Sequence, residues 1–204
     1  MEEYIWSLDI STTNIGFALW DSRDGKLIEL KHLALKTDKS VDVEDRDIHK
    51  AEIFRNYVLD FKERIFNEQN GEIKHIIVEA PLGGSVNPTT ASLLFGFNGI
   101  CRYILFQIFG MHPKKITVHD SRKLFCPELV HLEKRKGKMV EVLSFPPKYK
   151  KLKKLYIWEK VSKLEPQIEW FYKRGTIDDP KDMCFDMSDS YAVGYAGLKV
   201  LGII

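Results

Sequence analysis

An aspartate stands inside a run that otherwise has strand character: Tyr4-Ile-Trp-Ser-Leu-Asp9-Ile, then Ser11-Thr-Thr-Asn, then Ile15-Gly16-Phe-Ala-Leu-Trp20-Asp. Asp is depleted in strands, and an unpaired charge is expensive to bury. Such a residue needs either a cation or the amides of the Ser-Thr-Thr turn that follows it. A third apolar run lies beyond Ser22-Arg-Asp-Gly25, and the three together predict an antiparallel meander over residues 4–10, 14–21 and 26–35.

The pattern then alternates. Ile48, Ala51, Ile53, Phe54, Tyr57, Val58, Phe61, Ile65 and Phe66 recur close to a helical period and predict a long amphipathic helix over 43–67. The continuous apolar run Ile73-Lys-His-Ile-Ile-Val-Glu79-Ala-Pro81 suits a strand buried on both faces of a parallel sheet. A largely apolar helix is expected over 89–109, a short strand at Lys115–His119, and a last helix over 186–201. Strands, helix, strand, helix, strand and then helices describe an α/β sheet with an antiparallel first edge and a parallel second half. With 204 residues, 44% of them hydrophobic and 12% aromatic, the chain reads as a single domain over 1–204.

The net charge of +2 does not by itself announce a nucleic-acid binder, but the basic residues cluster. Lys134, Arg135, Lys136, Lys138, Lys148, Lys150, Lys151, Lys153 and Lys154 face a single acid, Glu141, across 134–154. Phe145 and Tyr149 are interleaved, and Gly137 and Pro146-Pro147 mark turns. A basic loop or hairpin leading into a helix at about 150–163 is expected, either as a solvated face or as a phosphate contact. Cys101, Cys126 and Cys184 fit no zinc spacing and read as reduced thiols, which points to a cytoplasmic protein. No signal peptide is expected, and no segment of membrane-spanning length free of charges or polar breaks.

Three acidic features far from Asp9 in sequence offer to share its cation. Glu79 ends its strand at the carboxyl end, where open α/β sheets keep their sites. Asp186 and Asp189 stand three apart at the expected start of a helix and point to one side, where capping and dipole roles are also open to them. Clustered carboxylates repel one another unless a divalent cation neutralises them, and oxygen ligands without His or Cys point to Mg2+ or Mn2+.

Asp9-x-Ser11-x-x-x-x-Gly16, Glu79, Ser92-Leu-Leu-Phe-Gly96-Phe-Asn-Gly99 and Asp186-x-x-Asp189-Ser-Tyr-Ala192 together resemble the RuvC-like Holliday junction resolvases of the ribonuclease H-like superfamily. The resemblance implies a mixed five-stranded sheet flanked by helices. It also implies Asp9, Glu79, Asp186 and Asp189 as catalytic ligands of two divalent ions, and a homodimer that cuts branched double-stranded DNA. Two-metal hydrolysis of this kind leaves 5′-phosphate and 3′-hydroxyl ends. The chain departs from the bacterial resolvases in a basic insertion at about 126–150, and in having Leu82 where they carry an aromatic wedge. Phe95, Phe97 and Tyr103 serve either the core or a dimer contact.

Two other readings use the same residues. A binding module without catalysis would keep the acids for structure, and Asp9-x-Ser-Thr-Thr-Asn-x-Gly16 also resembles the phosphate loop of actin-like sugar kinases, which need a second domain. Gly83-Gly84-Ser85 lacks the Lys of a P-loop and reads as a turn, and His119 and His131 lack a nucleophile partner.

Overall fold

The computed structural model describes residues 1–81, 87–176 and 178–204, so Leu82 and Gly83-Gly84-Ser85 lie outside the described residues. The meander forms as β1 (Glu2–Ile10), β2 (Asn14–Asp21) and β3 (Leu27–Ala34), all antiparallel. On the other side of β1, β4 (Gly71–Ala80) and β5 (Lys114–Thr117) add in parallel, giving the order β3-β2-β1-β4-β5. The mixed five-stranded sheet expected from the sequence is therefore present. β1 is central, which is why every residue from Tyr4 to Ile10 is buried.

Alternation along the strands divides two cores. Trp6, Leu8, Ile76 and Val78 pack under α1 (Arg46–Asn67) and α2 (Pro88–Phe109), where Trp6 stacks on Phe61 with ring centroids 4.1 Å apart. Ile5, Ala18, Trp20 and Ile77 face the other way, toward α5 (Asp182–Val200). By the two-residue period, Asp9 follows Ile5 and Glu79 follows Ile77, so both acids point to the α5 side. The helix α5 packs closely because its inner residues are small: Ser7 donates to the Ser190 carbonyl at 2.9 Å while accepting from Trp20 Nε1 at 3.0 Å, directly over Gly194. α3 (Val118–Phe125) and α4 (Lys153–Leu164) pack on α5.

Several elements differ from expectation. The helix expected over 43–67 begins with a 3₁₀ turn, Val43–Asp45, and Ile48 and Phe66 point to solvent. The strand expected through His119 stops at Thr117, whose hydroxyl accepts from Asp120 N at 3.1 Å and caps α3. The last helix starts at Asp182 rather than 186, because Pro180 and Lys181 leave their bridge to Tyr172 in extended geometry and the chain turns only afterwards. Asp186 and Asp189 thus lie inside α5 and cap nothing.

The basic stretch is a hairpin, β6 (Val130–Arg135) and β7 (Lys138–Leu143). Its two-residue turn has positive φ at both positions, 47° at Lys136 and 79° at Gly137, the geometry that matches the twist of the flanking strands. By length and composition α2 is long and apolar enough to cross a membrane, although Asn98 and Arg102 interrupt its apolar run, as the sequence reading requires. Here its Phe97, Asn98, Cys101 and Leu105 are buried, and the helix packs against the sheet and α1.

Candidate active site

Pairing sets the first two acids. β1 and β4 run in register as far as Leu8 and Val78, so the next residues, Asp9 and Glu79, stand side by side at the carboxyl ends of parallel strands. Asp9 also pairs with Gly16 across the antiparallel ladder. A Cβ at Gly16 would lie 2.0 Å from the Asp186 carbonyl oxygen, so the absence of a side chain there lets α5 approach the sheet at the level of its acids. One turn along α5, Asp189 falls on the same side as Asp186. Asn98 of α2 holds the end of β4 by donating to the Glu79 carbonyl at 3.3 Å. Ser11 serves the turn itself, donating to the Asn14 carbonyl at 2.6 Å.

The structure therefore brings Asp9, Glu79, Asp186 and Asp189 to one place, and their electrostatics record it. Burial, reinforced by the charge of Asp189, pushes Asp9 up to about 6. Asp186 is pushed up to about 7 by burial and by the Asp9 and Asp189 charges. Glu79 is raised well above the usual carboxylate range by burial and by the charges of Asp9 and Asp189. Burial is the first cause for all three, and the neighbouring carboxylates add to it.

Two cations stand among them. Lys154 Nζ lies 3.1 Å from Asp189 Oδ2 and 3.5 Å from Asp186 Oδ1, and an Arg122 terminal nitrogen lies 3.3 Å from Asp189 Oδ1. Burial works against the Lys154 charge, but Asp189, Asp9 and Asp186 outweigh it and raise its pKa. Lys154, which the resemblance sets among the basic residues near the active site, belongs to the carboxylate cluster itself. Arg122 was not legible: a lone arginine on a short helix carries no spacing signal.

The donor set fits a hard divalent cation, being all oxygen and still short of positive charge with both side-chain cations in place. As the side chains lie, however, no three His, Cys, Asp or Glu among the described residues are grouped closely enough to hold a metal. Lys154 and Arg122 engage the two oxygens of Asp189 instead.

The remaining basic residues spread outward. Lys134, Lys136 and Lys138 are exposed at the hairpin tip, and Arg135 pairs with Glu133 at 3.0 Å. Lys148 lies 3.8 Å from Glu159, Lys153 lies over the Phe145 ring, and Lys150 and Lys151 are exposed before α4. His119 and His131 are exposed, and the three cysteines are buried and unpaired. The cleft along β3, about 540 Å3 and lined by Glu29, His32, Arg64 and Phe171, includes none of the four acids.

A structure of Thermus thermophilus RuvC in complex with a Holliday junction substrate matches this chain with a TM-score of 0.52 and 12% identity, covering 98% of this chain and 96% of that one. The fold is RuvC-like. A second T. thermophilus RuvC structure matches to the same degree. A ROK hexokinase from T. thermophilus matches with a TM-score of 0.36 and 18% identity over 63% of this chain and 39% of that one, too distant to carry an argument. No family model and no curated protein matches the chain.

Proposed function

We propose that this protein is a metal-dependent endonuclease that cuts branched double-stranded DNA, four-way junctions foremost. The observation that carries the reading is the meeting of Asp9, Glu79, Asp186 and Asp189 at the strand ends of a RuvC-like sheet, short of positive charge. These four would hold two divalent ions, Mg2+ or Mn2+. When bound, the ions supply the charge that lowers the pKa of an attacking water and neutralises the leaving 3′ oxygen.

The residues of the chain do the rest. Asp9 and Glu79 are fixed by the strand register, and Asp186 and Asp189 by the Gly16 contact, so the four oxygen-bearing groups keep their relative positions. Arg122 steadies Asp189 from one side. Lys134, Arg135, Lys136, Lys138, Lys148, Lys150, Lys151 and Lys153 offer a basic surface for backbone phosphates, which fixes position without reading sequence. The products are a 5′-phosphate and a 3′-hydroxyl. Symmetric cleavage of a two-fold junction asks for a two-fold enzyme, and α2 offers the surface: Leu93, Phe95, Ile100 and Tyr103 are exposed on it, while Phe97 belongs to the core. The reduced, buried cysteines fit a cytoplasmic location.

One observation favours a module that binds without cutting: the acids are held by Lys154 and Arg122 and form no three-ligand group among the described residues. Titrating Mg2+ against an end-labelled four-way junction separates the two. Paired nicks that appear with metal support the nuclease; binding with no nick at any metal concentration supports the module.

A further inference from the structure

We propose that Lys154 is a built-in counterion that occupies the place of a divalent cation in the metal-free protein and is displaced when the metal binds. The inference rests on the reading of the four acids as a metal site.

Three observations carry it. First, both oxygens of Asp189 are engaged, Oδ1 by Arg122 at 3.3 Å and Oδ2 by Lys154 at 3.1 Å, and Lys154 also reaches Asp186 Oδ1 at 3.5 Å. A cation that takes Asp186 and Asp189 together must remove the ammonium that already bridges them. Second, the two side chains differ in freedom. The Arg122 side chain is 13% exposed, whereas that of Lys154 is 51% exposed and has a path into solvent without opening a cavity. Lys154 is therefore the one that leaves. Third, Lys154 lies in the first turn of α4, which contains no acidic residue, so its charge opposes the helix dipole and its position is owed to the carboxylates of α5. Once the metal has taken those carboxylates, the ammonium swings to the open side of the site, which is where a backbone phosphate would lie.

Displacement makes Lys154 and the metal competitors, so each weakens the other by the same factor. Removing the ammonium then has opposite effects on the two states: the metal-free protein loses the partner of two buried carboxylates, while the metal meets less opposition.

The test is Mn2+ binding followed by the paramagnetic signal of the free ion, with thermal melts in chelator and in excess Mn2+, on the full-length protein. Lys154→Met should melt below wild type in chelator, yet bind Mn2+ more tightly, by a factor within the usual coupling range of about 5 to 150. Lys154→Gln, smaller in its disturbance, should show the same direction, and Lys154→Arg should restore wild-type affinity. Asp189→Asn should bind Mn2+ weakly or not at all. If wild type binds Mn2+ and Lys154→Met and Lys154→Gln bind it no more tightly, the counterion inference is overturned while the metal site stands. If neither wild type nor the Lys154 variants bind Mn2+, the metal-site reading falls and the inference falls with it.

Discussion

Substituting Gly16 with alanine tests whether close approach of α5 to the sheet builds the site. Gly16 pairs with Asp9, and a Cβ there would come within 2.0 Å of the Asp186 carbonyl oxygen, 2.2 Å of its carbon and 2.7 Å of Met187 N. All three atoms are backbone, so no side-chain rotation relieves the clash. To restore an ordinary contact of 3.4 Å or more, α5 must retreat from β2 by over an ångström at the level of its two acids. Overpacking of this kind costs about 1–3 kcal/mol. A misplacement of about 1 Å in catalytic groups can cost roughly a hundredfold in rate. Urea denaturation of wild type and Gly16→Ala measures the first quantity, and junction cleavage under saturating Mg2+ measures the second. The expected variant is folded, measurably less stable, and slower in cleavage by about tenfold or more on the same positional grounds. Wild-type stability together with wild-type cleavage would refute the proposed role of Gly16.

In chelator, the stability of the protein should fall as pH rises from about 4 to 7. In the unfolded chain Asp9 and Asp186 ionise near 3.8, but in the fold they hold their protons to about 6 and about 7, so the folded state binds more protons across that window. At about 1.4 kcal/mol per unit and roughly two to three units for each group, the decline should reach several kcal/mol, as read by chemical denaturation at a series of pH values. Changing Lys134, Arg135, Lys136 and Lys138 together to Ala should weaken DNA binding and flatten its dependence on salt, the log–log slope becoming shallower by about 0.9 for each phosphate that the hairpin no longer neutralises. Unchanged slope and affinity would make the hairpin a solvated surface. By analytical ultracentrifugation wild type should be a dimer and Leu93→Asp with Tyr103→Asp a monomer; an unchanged dimer in the variant would place the interface elsewhere.

The sheet was legible because each strand carried a separate signal. Alternation and turn residues marked β1, β2 and β3, and the unbroken run before Glu79 marked a strand covered on both faces. The meeting of Asp9 with Glu79 was implied by the resemblance, and the parallel pairing of β1 with β4 is what brings it about; the shared side of the pair on α5 followed from helical spacing. What the sequence hid was local competition at element ends. Thr117 reads as a good strand residue, yet its hydroxyl caps α3. Phe185 and Asp186 read as a helix start, yet helix geometry begins as soon as Pro180 and Lys181 permit. Arg122 and the pairing of Lys154 with Asp186 and Asp189 were hidden for a different reason. Each comes from an element far from the acids in sequence, and charge complementarity across a tertiary contact leaves no periodic trace.

Whether the four carboxylates act together in cleavage is tested most directly by Asp9→Asn. The substitution keeps the size and hydrogen-bonding capacity of the side chain at the centre of the sheet but removes one negative charge from the cluster. With a labelled four-way junction and saturating Mg2+, wild type should produce paired nicks. Asp9→Asn should bind the same junction with similar affinity while cutting about a thousandfold more slowly, roughly 4 kcal/mol of transition-state stabilisation removed. Cleavage by Asp9→Asn at the wild-type rate would contradict a shared role for the four acids.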